Sequence, residues 1–176
     1  VKKEGSDLLS GYRFSSGWAS NQKVFFRMQS SLALSDIWLI GHDGNLSPFT
    51  GEAITNSNQP ALKVLVTFQP DGNRPLLIKT GISSVSTDGA GNNLFTENPG
   101  WDFDGIRKAA EIAWEEAPGS IRITSSDTSI LRTFYTALYH AFIQPNLYSD
   151  VTGEYRTAGD EIKKDDKSEM YYTFSL

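Results

Sequence analysis

Apolar and polar positions alternate with a period of two over the first half of the chain and recur every three to four residues over the second, with the change near Ser86. In "QKVFFRMQSS", residues 22–31, Val24, Phe26 and Met28 share one side of an extended chain. In "ALKVLVTFQP", residues 61–70, Leu62, Val64, Val66 and Phe68 do the same, opposite Lys63 and Thr67. "SDIWLIG" predicts a shorter strand and "LLIKTGISSVS" another, the latter after the turn cluster "PDGNRP". The polar stretch "HDGNLSPFTGEAITNSNQP", residues 42–60, predicts a long loop. The sum is an antiparallel meander of four or five strands, whose apolar face requires cover from a second sheet or a helical layer.

Beyond Ser86 the spacing is helical. "WDFDGIRKAAEIAWEEAPG" aligns Phe103, Ile106, Ala110, Ala113 and Trp114, with Asp102 and Asp104 where a helix dipole favours negative charge and Pro118-Gly119 as the stop. "DTSILRTFYTALYHAFIQPN" aligns Ile130, Leu131, Phe134, Ala137, Leu138, Ala141 and Phe142 in a stronger stripe, capped by Asp127 or Thr128 and ended by Pro145. The glycine-rich "TDGAGNN", residues 87–93, reads as the sheet-to-helix corner. It has neither a GxGxxG pattern nor a Gly-Lys-Ser/Thr ending that would make it a phosphate cradle. "YSDVTGEYRT" predicts a hairpin turning at Thr152 and Gly153, and "AGDEIKKDDKSE" a solvated charged loop.

Composition narrows the function. With 39% hydrophobic residues and 12% aromatics the chain can bury a core. A net charge of -5 argues against nucleic acid or an anionic membrane as partner, since both select clustered Lys and Arg. No stretch is apolar enough to insert in a membrane, and "VKKEGSD" at the start has no signal-peptide character. The absence of cysteine removes disulfides and thiolate chemistry. Among groups that could carry chemistry, His140 flanks an apolar helix and is expected to pack at an interface, together with Tyr135 and Tyr139. His42 sits in a turn. Glu111, Glu115, Glu116, Asp160, Glu161, Asp165 and Asp166 read as solvated charge rather than the opposed pair of carboxylates that a glycosidase needs. "DVTGEYRTAGDE" has the wrong spacing for a calcium loop. On motifs alone there is no catalytic residue and no metal ligand to assign.

"GYRFSSGWA", "ISSVSTDGAGNNLFTE", "WDFDGIRKAAEIAWEE" and above all "FYTALYHAFIQPNLYSDVTGEYR" followed by "YYTFSL" resemble glycoside hydrolase family 92, the calcium-dependent exo-acting α-mannosidases. The similarity runs through most of the chain in the family's order. It implies an α+β fragment: an antiparallel β-sandwich portion in residues 1–86, linker helices in 87–126, and in 127–176 the first helix of a catalytic α/α toroid. The resemblance implies a parent enzyme that removes terminal α-linked mannose, with α-1,2 linkage favoured, by metal-assisted inversion. The family's general acid, general base and calcium ligands lie further along the toroid, and a Trp-Asp-Thr motif follows the "YYTFSL" stretch. Calcium is therefore expected in the parent enzyme and not on this fragment, which serves as inactive scaffold.

The expected partners are mannose-containing glycans and the remainder of the toroid, and the expected location is periplasmic or secreted. Trp18 is the one candidate substrate-binding residue, because an aromatic face at a sandwich loop can stack on a sugar. Asn146, Asp150 and Arg156 are expected to fix the hairpin by polar contacts, and Trp101 to pack the linker. The alternative is a non-catalytic carbohydrate-binding β-sandwich with Trp18 and Trp38 as its platform. Exposure of the apolar stripe on the helix at 130–143 would favour the first reading, and its folding back on the sheet the second.

Overall fold

A computed structural model describes residues 1–17, 21–41, 43–49 and 63–165 fully and the backbone of 171–172. The fold is α+β. Its strands are β1 (Lys2–Lys3), β2 (Leu8–Ser15), β3 (Gln22–Ser30), β4 (Leu34–Ile40), β5 (Leu46–Pro48), β6 (Lys63–Phe68) and β7 (Ile78–Ser83). Helices α1 (Thr87–Glu97), α2 (Phe103–Gly119) and α3 (Thr128–Phe142) follow, then the short strands β8 (Asn146–Leu147), β9 (Glu154–Arg156), β10 (Ile162–Lys164) and β11 (Tyr171–Tyr172).

The strands of the first half do not form a single meander. They divide into antiparallel sheets ordered β1-β2-β3-β7 and β5-β4-β6, so that the chain leaves the first sheet after β3 and returns to it at β7. Packing is the reason: one sheet has no way to cover its own apolar face, and two sheets cover each other. Leu9 of β2 and Leu34 and Ile37 of β4 are buried between them, with Met28, Phe49, Val64, Val66 and Phe68 packed around. Val64, Val66 and Phe68 thus face inward as the alternation requires. Part of the predicted polar loop pairs as β5 along β4, where Leu39 lies opposite Ser47. The remainder, residues 50–62, falls outside the described residues, as do His42 and Trp18.

The other face of the four-stranded sheet carries a polar row that is nonetheless covered. Register places Arg27 beside Ser10 on one side and Gly81 on the other, and α1 lies over this row with Ala90 and Leu94 buried beneath it. The glycine-rich segment is therefore not a corner but the body of α1, capped by Ser86, whose hydroxyl oxygen accepts from the Gly89 amide at 2.9 Å. Glycine is a poor helix former, and here proximity decides. A Cβ on Gly81 would stand 2.2 Å from the Ala90 carbonyl oxygen, and one on Gly89 would stand 2.3 Å from a carboxylate oxygen of Asp150. Helix and strand meet backbone to backbone.

Lys79 closes the far end of α1. It is buried, and its ammonium donates to the carbonyl oxygens of Asn98 at 2.8 Å and of Pro99 and Gly100 at 3.3 Å, where the helix dipole is negative. It also lies 4.6 Å from the centroid of Trp101, which packs the linker as expected.

Helices α2 and α3 form where the periodicity puts them, with Asp102 and Asp127 as caps. Pro118 and Gly119 do not stop α2 but occupy its last turn, which closes when the Ser120 amide bonds to the Pro118 carbonyl. Proline there lacks the N–H that would bond back four residues, and the helix ends one residue later. Neither helix contributes a buried residue, and Phe103, Ile106, Ile130 and Phe142 are exposed. The two touch through Trp114 and Tyr139, ring centroids 4.7 Å apart.

The backbone contact at Gly81 predicts that Gly81→Ala destabilises the protein by about 2 kcal/mol or more, through overpacking that neither backbone can relieve. Gly119→Ala, where a Cβ meets open space, should change the unfolding free energy read from urea denaturation by no more than about 0.5 kcal/mol. Equal midpoints for the two variants would refute close packing at the first position.

Candidate functional site

Polar groups converge where β7, α1 and the segment after β8 meet. Asp150, Ser83 and Asn93 are all buried, Asp150 to 4% exposure. The Ser83 hydroxyl donates to Asp150 Oδ2 at 2.7 Å, and the Asn93 side-chain amide donates to Oδ1 at 2.8 Å. Ser83 Oγ also accepts from the amides of Val85 at 2.8 Å and Ser86 at 3.3 Å, which leaves its own proton for the carboxylate. Asn93 is used on both sides, donating to the Ile82 carbonyl and accepting from the Val151 amide, each at 2.8 Å. Burial pushes the Asp150 carboxyl above its usual range, against the opposing bonds from Ser83 and Asn93 and with help from the negative charge of Glu154.

The predicted turn exists. The Asp150 amide bonds to the Glu154 carbonyl and the Gly153 amide to the Asp150 carbonyl, both at 2.8 Å, with Gly153 at φ 80. The hairpin itself is one step further on, because β9 pairs with β10 around a second turn, Thr157 to Glu161. The stretch expected to be a solvated charged loop is thus partly a strand, and Asp160 in its turn is bound. Lys23 reaches Asp160 Oδ2 at 2.5 Å and Arg156 reaches Oδ1 at 2.9 Å. Lys23 first and Arg156 second hold that carboxyl below its usual range despite some desolvation. Arg156 spends its other donors on the carbonyls of Ser84 at 2.7 Å and Val85 at 3.0 Å. Asp150 and Arg156 therefore do more than shape a hairpin: they fasten it to the end of β7 and the start of α1.

The other candidates are scattered. His140 is exposed on α3, and Tyr135 accepts from the Ile123 amide at 3.4 Å on the same helix. Asn146 lies in β8, paired with Tyr172. Glu111, Glu115 and Glu116 are exposed on α2. Ser83 and Asn93 were not singled out by sequence. The available signal was Asn93 recurring with Gly89 and Ala90 at helical spacing, a polar residue within a buried stripe. Among the described residues no three His, Asp or Glu side chains converge as metal ligands. Asp150 is enclosed and saturated with donors, which suits it to holding elements together rather than to exchanging protons with a substrate.

Comparison with solved proteins gives the class. The chain aligns with a family GH92 α-mannosidase from Bacteroides thetaiotaomicron at TM-score 0.78 and 28% identity, over 97% of this chain and 23% of that one. The structure of that protein with mannoimidazole matches equally well, over 22% of its length. A GH92 inverting mannosidase from the same species, 21% identical, shares the fold at TM-score 0.73 over 94% of this chain and 22% of its own. The segment is thus the part of a glycoside hydrolase in which an N-terminal sandwich meets the start of a helical domain. Residues 89–176 match the glycosyl hydrolase family 92 catalytic domain, and the chain belongs to that family. An uncharacterized secreted glycosidase from Arthroderma benhamiae is 39% identical over 49% of this chain and 12% of its own. The chain spans less than a quarter of the length of each of these relatives.

Removal of the central carboxylate should be costly. Asp150→Ala leaves the Ser83 hydroxyl and one Asn93 donor without their acceptor, and is expected to lower stability by about 2–3 kcal/mol in urea denaturation. The pH dependence has a defined sign. Because the folded carboxyl titrates above its ordinary 3.8, the folded state holds more protons than the unfolded one between the two values. The Asp150 contribution is therefore largest in acid, falls as pH rises through that window, and is flat above it. Urea midpoints of wild type measured against Asp150→Asn from pH 3.5 to 7 should show this fall. A difference that grew with pH would contradict it.

Proposed function

We propose that the polypeptide carrying this segment is an α-mannosidase that removes terminal α-linked mannose, with α-1,2 linkage preferred, from glycans by metal-assisted inverting hydrolysis. The observation that carries the reading is the alignment over 97% of the chain with a GH92 α-mannosidase, together with the family match of residues 89–176. The segment itself serves as scaffold. Residues 1–86 supply sandwich, 87–126 the linker helices and 127–176 the entry to the helical domain. Its carboxylates support this role, since those of α2 face solvent and Asp150 and Asp160 are committed to protein donors. Calcium is assigned in this reading to residues further along the helical domain. Trp18 is assigned to the sugar pocket as an aromatic stacking face. Export agrees with the secreted relative from Arthroderma benhamiae. The exposed apolar stripe of α3 favours this reading over a self-contained carbohydrate-binding module, in which that helix would pack on the sheet.

The test compares the full polypeptide with residues 1–176 on α-1,2-mannobiose. The full polypeptide should release mannose, first as the β-anomer by NMR, and lose activity on chelation until calcium is restored. The segment alone should release none. Trp18→Ala in the full polypeptide should lower kcat/KM about tenfold, the scale of one lost aromatic contact. Calcium-dependent release by the segment, or an inert full polypeptide, would overturn the proposal.

A further inference from the structure

A cleft of about 340 Å³ opens between the edge strand β1 and the beginning of β4, lined by Lys3, Ser35, Asp36, Trp38, Pro48 and Phe49. Its shape has a local cause. The pairing of β4 with β6 slips between Leu34 and Ile37, and a bulge of this kind turns side chains out of the regular alternation. Asp36 is held there by its backbone, its amide donating to Thr67 Oγ1 at 3.0 Å and its carbonyl accepting from that hydroxyl at 3.3 Å. Its carboxylate stays exposed and accepts one bond, from Ser35 Oγ at 3.0 Å. Trp38 is half-buried beside it, across the pair with Pro48. Lys3, also half-buried, lines it from the other sheet.

We propose that this cleft is a saccharide-binding site that takes one hexopyranose unit of a glycan. A pyranose presents an apolar patch of C–H groups and a rim of hydroxyls that both donate and accept. The residues that line the cleft include the counterparts: an aromatic, Trp38, an acceptor, Asp36, and a donor, Lys3, around a volume typical of small-ligand sites. A purely apolar ligand would leave both charges without use, and an anion would meet Asp36. The strand framework fixes the arrangement, since β1 and β4 come from different sheets around the buried Leu34 and Ile37.

The cleft does not rest on the mannosidase reading, but the choice of an α-mannan as first probe does. The full polypeptide is run by affinity electrophoresis in gels containing α-mannan, with β-glucan and xylan gels in parallel, and assayed on α-1,2-mannobiose. Trp38→Ala is expected to weaken retardation about tenfold, and Lys3→Met and Asp36→Asn about threefold each, while kcat/KM on the disaccharide is unchanged. Retardation lost only in a glucan or xylan gel supports the site and changes its sugar. Retardation of all three variants equal to wild type in every gel overturns the proposal, as does a wild type that no gel retards. If Trp38→Ala fails to fold, by circular dichroism, the Lys3 and Asp36 variants decide by the same criterion. Absence of mannosidase activity with variant-sensitive retardation would refute the enzyme reading and leave the site standing.

Discussion

A carboxylate taken out of water needs donors for both oxygens, and at Asp150 that need fixes how three separate stretches of chain meet. Ser83 ends a strand, Asn93 lies in the middle of a helix and Asp150 follows β8, yet their side chains converge at 2.7 and 2.8 Å. Each partner is constrained in turn. Ser83 gives its proton to the carboxylate because two backbone amides already occupy its oxygen, and Asn93 binds Ile82 and Val151 as well. Gly89 follows from the same demand, since a methyl group would stand where the carboxylate sits. Removing one member of such a set leaves the others buried and unpaired, which is why the group acts as a unit.

That constraint explains a sheet with two unlike faces. The inner face packs Leu9 and Met28 on Leu34, Ile37 and Val66, as hydrophobic burial dictates. The outer face is covered although Ser10, Arg27, Lys79 and Ser83 lie on it. A polar surface can be buried only where most of its groups find partners. Lys79 finds three carbonyls at the end of α1, and Arg27 finds Glu4 at 2.7 Å and Asp88 at 3.3 Å through Nη2, while its Nε is buried without a partner among the described residues. Helix α1 contributes backbone and short side chains instead of a broad apolar stripe, and so lies close enough for these contacts to form.

Strands and strong helices were legible in the sequence because a repeat of two or of 3.6 depends only on which side must be apolar. β3, β6, α2 and α3 lie where their patterns put them, and Asp127 caps α3. Topology was not legible, because the pairing of β3 with β7 rather than β4 is decided by which faces can be stacked. Helix α1 was missed for a related reason. Its glycines argue for a turn on propensity, and only the approach of Gly89 to Asp150 and Ser83 and of Gly91 to Arg27 shows why they stand in a helix. Asp150 and Arg156 were rightly seen as polar fasteners, but their partners, Ser83 and the carbonyls of Ser84 and Val85, stand about seventy residues away. The charges of residues 158–165 looked solvated because nothing local reveals that Lys23 and Arg156 reach Asp160. Asp36 and Lys3 gave no signal, since their meeting depends on a bulge and on two sheets.

The three helices separate amphipathicity from burial. Helix α1 has a weak apolar pattern and is buried by backbone proximity and hydrogen bonds, whereas α2 and α3 carry clear apolar stripes and bury no residue. An apolar stripe records which surface a helix is built to meet, and burial records whether that surface is at hand. Trp114 and Tyr139 give α2 and α3 a first contact with each other, but Ile106, Ile130 and Phe142 still face water. Leaving several such side chains exposed forgoes about 1.5–3 kcal/mol for each that could be fully buried. Stripes of this width are the kind that pack helix against helix, and the described residues do not cover them. The sandwich and α1 therefore form the part that holds the buried core, and the Asp150 cluster is the point at which that part takes hold of the chain after the helices.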